Sequence, residues 1–366
     1  MTGTNSGRQW LFRVAAVMLA VVVTLAVMEL VAWAVLHKEW PRQPAMPTVA
    51  GNVLTGHGAR LKPNLNLTQW FIISNQVVNF QTNSMGFRGK REFSLTKPAD
   101  VLRILFLGDS VTLEAFLPEA ETFPAMVEKI LSATRKVEVI NAAVSGIGLR
   151  EEVYILKDTG LKMHPDVVVV GFYMNDSRPP WGFEKEYYTL PPWLMESSKV
   201  IEQYSYLYKW VWKRLLVHRF MRKNLASIWD WTADYNAGKW RTDQAAYQKV
   251  IKGAKLDFGS AWDENSWPVI YSGMDRLQEL GKKYNFKPAV VIFPVTMQVR
   301  ADFYDDFPQQ KLLGYCRAHD LPCLDLLPIL RAHKDEDLYF DMCHLKALGD
   351  QVVAPPIADF LRQVAR

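Results

Sequence analysis

Ser110, Asp341 and His344 are the residues of this 366-residue chain whose types and spacing most directly offer chemistry. A serine hydroxyl is a weak nucleophile at neutral pH. It becomes effective when a neutral imidazole takes its proton and a carboxylate fixes that imidazole's tautomer and stabilises the imidazolium. Asp341 and His344 can supply both groups from the single loop Asp341-Met342-Cys343-His344. Ser110 closes the turn Gly108-Asp109-Ser110, which follows the apolar run 101–107. Taken alone, Asp-Ser after a strand is ordinary helix-capping chemistry. Two more turns change that reading, because Asn141 to Gly146 and Gly171 to Asp176 also follow apolar runs. The oxyanion of acyl transfer needs preorganised donors, and the Ser110 N–H, the Gly146 N–H and the Asn175 side-chain amide are the candidates. Glycine at 146 lets the backbone approach a substrate without a Cβ.

Convergence of these groups requires a particular set of elements. Short apolar runs at 101–107, 137–140, 166–172, 289–293 and 321–326 alternate with segments of helical period at 122–133, 150–163, 269–284 and 304–319. That alternation predicts βαβ units and a parallel sheet covered on both faces, an α/β fold. Ligands of such sheets bind outside the carboxyl ends of the strands, where the four turns fall. One interval breaks the rhythm. Nearly a hundred residues separate the third run from the helix near Val269 and hold nine of the chain's 13 tryptophans, so residues 178–265 read as an insertion.

At these four blocks the sequence resembles the SGNH (GDSL-like) hydrolase superfamily: Gly108-Asp109-Ser110, Gly146, Gly171 through Asn175-Asp176, and Asp341-x-x-His344. The resemblance covers 101–366 apart from the insertion. It implies a flavodoxin-like three-layer α/β/α sandwich with a parallel sheet. It also implies ester cleavage through an acyl-enzyme on Ser110, with no metal and no organic cofactor. Two departures stand out: Val111 replaces a common leucine, and the third block is Gly-x-x-x-Asn-Asp, so Asn175 rather than Gly171 sets its register. Asp109 and Asp176 read as supports of their turns. The segment Thr82 to Gly89 resembles, more loosely, the stretch preceding this domain in membrane-anchored bacterial members associated with exopolysaccharide synthesis or modification. That likeness chiefly informs localisation, a periplasmic catalytic domain, and the first reading of the substrate is an acylated, chiefly acetylated, carbohydrate polymer, with a polysaccharide-synthesis membrane protein as a candidate partner. A membrane-associated lipase or thioesterase acting on a lipid ester is the alternative enzyme. A catalytically silent binding subunit is the alternative from another class, against which the intact Ser/Gly/Asn/His set argues.

The rest of the chain bounds where this chemistry happens. Residues 14–36 carry one ionisable side chain, Glu29, and are long enough at about 1.5 Å per residue to cross a hydrocarbon core of about 30 Å. They read as an uncleaved signal anchor, although Ala32-Trp33-Ala34 also fits a cleavage site. Glu29 costs roughly 2.5 kcal/mol or more at mid-bilayer, so the sequence leaves it to the interface or a partner helix. Arg8 and Arg13 before the span balance Lys38 and Arg42 after it, which leaves orientation open. The domain reading is a tail at 1–13, the span at 14–36, a proline-rich linker at 37–64, a β-rich lead-in at 65–98 and the hydrolase domain at 99–366.

The formal charge of +5, from 43 basic and 38 acidic residues, is too small to indicate nucleic acid. It is concentrated: residues 199–223 hold seven Lys or Arg and one Glu among five Tyr and Trp. That run reads as a face for an acidic glycan, a helix on anionic lipid, or a lid whose aromatics pack inward. Three cysteines exclude a disulfide-built scaffold and form no zinc pattern. Cys316 and Cys323 are close enough for a disulfide or are two small buried side chains, and Cys343 reads as packing. The remaining histidines, 37, 57, 164, 218, 319 and 333, read as surface or packing residues, and Asn66-Leu67-Thr68 matches a glycosylation sequon.

Overall fold

The computed structural model describes residues 5–36, 60–71, 74, 76–177, 205–211 and 231–366. The 37–59 tether, most of the basic run, and His37, His57 and His218 lie outside the described residues. The chain divides into two compact units, one of residues 1–46 and 186–226, the other of 47–185 and 227–366.

The larger unit is built on seven strands. β1 (Asn66–Phe71) and β2 (Gln76–Gln81) form an antiparallel hairpin, and β3 (Leu102–Gly108), β4 (Val137–Asn141), β5 (Val167–Phe172), β6 (Lys287–Ile292) and β7 (Cys323–Asp325) form a parallel sheet. Its strand order is β4-β3-β5-β6-β7. Every residue of β3 and β5 is buried, which is why both read as unbroken apolar runs rather than alternating ones. Helices cover the sheet in pairs: Phe123–Ser132 packs with Ala347–Val364, and Leu149–Asp158 with Trp267–Tyr284. This is the three-layer α/β/α sandwich implied by the motifs. The chain runs from β3 outward to β4 and then returns to the other side of β3 with β5. The gap between the carboxyl ends of β3 and β5 is therefore the topological switch point, where open parallel sheets place their ligands.

The lead-in is joined to this unit by its turn at 82–89. Asn83 Oδ1 accepts from the N–H groups of Met85 and Phe87, both at 3.0 Å. Gly86 has φ +79, and a Cβ there would stand 2.6 Å from the Leu61 carbonyl oxygen, so the turn requires glycine. The turn delivers Arg88, which is buried, donates its N–H to the Asn141 carbonyl at 3.0 Å and its Nη2 to the Leu117 carbonyl at 2.6 Å.

The interval that the sequence treats as one insertion is split between the two units. Trp231, Trp240, Tyr247 and Phe258 are buried in the core of the larger one, with the Trp231 and Phe258 rings 5.0 Å apart. Their aromatic richness belongs to hydrophobic packing there.

The smaller unit contains the helix Asn5–Leu36, of which Arg8–Val35 has a mean hydropathy of 2.6 and is long and apolar enough to cross a membrane. Its apolar side chains are exposed. The short helix Tyr206–Val211 packs on it, and the Glu29 carboxylate accepts the Tyr206 N–H at 2.5 Å.

Candidate active site

The turn that carries Ser110 depends on two glycines. Gly108 and Gly171 are register partners at the ends of β3 and β5. A Cβ on Gly108 would lie 2.3 Å from Thr112 Oγ1, and one on Gly171 would lie 2.1 Å from the same atom. The paired absence of side chains lets Thr112, and with it the one-turn helix Ser110–Leu113, settle onto the sheet at the switch point. Asp109 caps that helix, its Oδ1 accepting the Val111 N–H at 2.8 Å, and its buried carboxylate supports the turn. Gly171, read from the sequence as part of the third block, has this packing task.

The loop after Leu338 delivers Asp341 and His344. It is bridged at Tyr339 and Leu345 and held to the end of β6 by Thr296, whose N–H donates to the Met342 carbonyl at 2.9 Å and whose hydroxyl donates to the Asp341 carbonyl at 2.8 Å. Asp341 Oδ1 accepts the N–H groups of Cys343 and His344, both at 2.9 Å. Its other oxygen, Oδ2, lies 2.7 Å from His344 Nδ1, and His344 Nε2 lies 3.0 Å from Ser110 Oγ. With Nδ1–H donated to the carboxylate, the Nε2 lone pair faces the serine hydroxyl, which is the tautomer a general base requires. The Phe116 ring meets the imidazole edge to face at 4.8 Å and limits its swing.

Electrostatics favour the same arrangement. Burial opposes the imidazolium, but the hydrogen bond and charge of Asp341, then the charges of Asp109 and Asp257, raise His344 above its ordinary value. Burial also opposes ionisation of Asp341, yet the His344 contacts and the two loop N–H groups hold it below the usual carboxylate range. Burial, reinforced by Asp341, Asp257 and Asp109, pushes the Cys343 thiol far up, so no thiolate competes with Ser110. Asp341, Cys343 and His344 bring three potential metal-donor atoms within 4.8 Å of one another. Two of those three groups are already joined to each other and to Ser110, so this cluster is organised for proton transfer.

The remaining candidates lie at the same sheet edge. The Ala142 N–H donates to the Phe106 carbonyl at 2.9 Å and that of Val144 to the Gly108 carbonyl at 3.0 Å, tying the exit of β4 to β3. The Leu149 N–H bonds the Asp176 carbonyl at 3.1 Å, tying it to the exit of β5. Gly146 has φ +75 within this loop, a backbone conformation suited to glycine. Asp176 Oδ2 accepts the Tyr173 N–H at 3.0 Å, the turn support read from the sequence.

Asn175 is mostly buried, and its Nδ2 lies 3.4 Å from Asp257 Oδ1. Asp257 was not legible as a site residue, since it sits inside the long interval with no motif around it. Its segment is seated by Ser260, whose hydroxyl donates to the Met174 carbonyl at 3.1 Å and meets the Ser177 hydroxyl at 3.1 Å.

Behind the nucleophile helix lies a buried acid pair. Glu114, at φ +52 just past that helix, and Asp350 of the last helix both accept the Phe123 N–H, at 3.0 and 3.1 Å. Burial raises Glu114 to about 7 and, with the charge of Glu114, raises Asp350 well above its ordinary value. The charge of the Arg88 guanidinium opposes both shifts without cancelling them.

Comparison with solved structures finds the acetyl xylan esterase AlAXEase, at 15% identity, over 72% of this chain and 98% of that one, with a TM-score of 0.38. It also finds TesA, at 10% identity, over 72% and 99%, with a TM-score of 0.40. The psychrotrophic esterase EstA from Pseudoalteromonas sp. is similar at 13% identity, over 71% and 97%, with a TM-score of 0.39. No protein-family model matches the chain, and no curated protein matches it. The fold assignment rests on the strand order and switch-point geometry of this chain itself.

Proposed function

We propose that the protein is a membrane-anchored serine esterase or O-acyltransferase that acts on acyl, chiefly acetyl, esters of an extracytoplasmic carbohydrate polymer. The observation that carries the reading is the hydrogen-bonded series from Ser110 Oγ through His344 to Asp341, at 3.0 and 2.7 Å. Ser110 Oγ attacks the acyl carbon while its proton passes to His344 Nε2. The negative charge that develops on the acyl oxygen is met by the N–H groups of Ser110 and Gly146 and by the Asn175 amide. His344 returns its proton to the departing alkoxide of the sugar, leaving the acyl group on Ser110. Water, or a second sugar hydroxyl, then gives its proton to His344 and attacks the acyl-enzyme, which releases acid or a new ester and restores Ser110. Asp341 remains ionised throughout and steadies the imidazolium.

The apolar helix at 8–35 supports the membrane setting, and the resemblance of the 82–89 turn supports the polymer substrate and the periplasmic side. The same span also suits a lipase on lipid esters, which substrate release separates. The test is hydrolysis of a short activated ester and release of acetate from an acetylated polysaccharide by the full chain. Ser110→Ala and His344→Ala are expected to lose at least a thousandfold in turnover. A Ser110→Ala protein that keeps its rate would overturn the mechanism, and release of long-chain fatty acid without acetate would transfer the assignment to the lipase.

A further inference from the structure

Glu29 is the single ionised-type side chain of the apolar stretch between Val14 and Leu36. It stands six residues short of Val35, about 9 Å inside the end of the hydropathic segment at 1.5 Å per residue. In the structure its carboxylate is engaged from the second piece of its own unit. Ser205 Oγ donates to Oε2 at 2.6 Å, the Tyr206 N–H to Oε1 at 2.5 Å, and the Leu207 N–H to Oε2 at 3.0 Å. The Ser205 hydroxyl in turn accepts the Tyr208 N–H at 2.9 Å.

Hydrocarbon penalises bare carboxylates and bare backbone N–H groups alike, so each finds in the other what lipid cannot provide. An aqueous loop helix has water for those N–H groups and no need of a carboxylate drawn from a membrane span. The sequence of the helix, Tyr206-Leu207-Tyr208-Lys209-Trp210-Val211, has the aromatic composition with one lysine that is characteristic of the membrane boundary. Tyr206 is buried and Leu207 half-buried.

We propose that residues 205–211 are a second membrane contact: a short helix seated in the lipid interface against the span and tied to it by Glu29, with the bilayer as its partner. The inference rests on the reading of residues 8–35 as a membrane span.

The full chain, reconstituted in phosphatidylcholine vesicles with and without doxyl-labelled lipid, tests this. An environment-sensitive fluorophore is placed at Leu207→Cys, at Val22→Cys within the span, or at exposed Lys90→Cys of the larger unit, each with Cys323→Ser so that only buried native thiols remain. The Leu207 label is expected to be quenched by doxyl lipid and shielded from aqueous iodide, as the Val22 label is, whereas the Lys90 label behaves oppositely. Adding Glu29→Leu, which leaves the span more apolar, is expected to raise iodide quenching of the Leu207 label at least threefold. A Leu207 label that behaves like Lys90 while Val22 stays in lipid overturns the inference, as does a Glu29→Leu change that leaves it untouched. A Val22 label that doxyl lipid fails to reach overturns the membrane reading itself.

Discussion

Asp341 gives each of its oxygens a separate task, and the site's pH behaviour follows from that division. Oδ1 builds the loop through two N–H groups, while Oδ2 holds the imidazole. Asp341→Asn keeps the shape but removes the charge and turns a donor toward Nδ1. Turnover should then fall about 10²- to 10⁴-fold, measured with the activated ester at pH 7.5. In the wild type the base works only when neutral, so kcat/KM should fall as pH drops through a His344 pKa that lies above the ordinary value of about 6.5. Asp257 supplies part of that elevation. Asp257→Asn should therefore move the acid limb of the pH–rate profile to lower pH without abolishing activity, and an unmoved limb would remove Asp257 from the site's electrostatics.

Among the elements, the contact between the Ser110–Leu113 helix and the sheet leaves little room for change. Gly171 faces Thr112 with no room for a methyl group. Gly171→Ala must displace the Thr112 side chain and disturb the Ser110–Leu113 helix that carries it, which should cost about 1–3 kcal/mol in denaturant unfolding and at least tenfold in kcat. Thr112→Ala removes the atom in the way. The double variant Gly171→Ala/Thr112→Ala should recover activity relative to Gly171→Ala alone, and failure to recover would locate the damage elsewhere than this contact. The glycine was visible in the sequence as part of the Gly-x-x-x-Asn-Asp block. Its reason was not, because the partner atom lies 59 residues away and meets it only through the β3–β5 pairing.

For the whole molecule, the buried acid pair couples stability to pH. Glu114, Asp350 and Arg88 come from three distant parts of the chain and meet behind the site. Glu114 titrates near 7 in the folded chain against 4.5 without burial, so the native state keeps a proton that the unfolded chain releases between those values. Stability from this source is full below about pH 4.5 and falls as pH rises to about 7. Glu114→Gln retains an acceptor for the Phe123 N–H and cannot ionise. Between pH 5 and 8 it should gain on the order of 1–3 kcal/mol relative to wild type in denaturant unfolding, and a constant difference across that range would refute the coupling.

The sequence by itself determined the α/β class, the positions of the five parallel strands to within a few residues, the four polar turns at their ends, and one helix long enough for a membrane. These are written in local patterns: apolar runs of strand length, helical period between them, and glycine or polar residues where a strand must stop. Tertiary structure alone decided which turns become neighbours, since strand order 4-3-5-6-7 is a matter of packing between segments far apart in the chain. It alone divided the tryptophan-rich interval, because aromatic composition is the same whether a ring enters a core or lines a surface. It alone found partners for Glu29, Arg88 and Asn175. A buried polar group is satisfied by whatever the fold carries to it, and no spacing along the chain records that meeting.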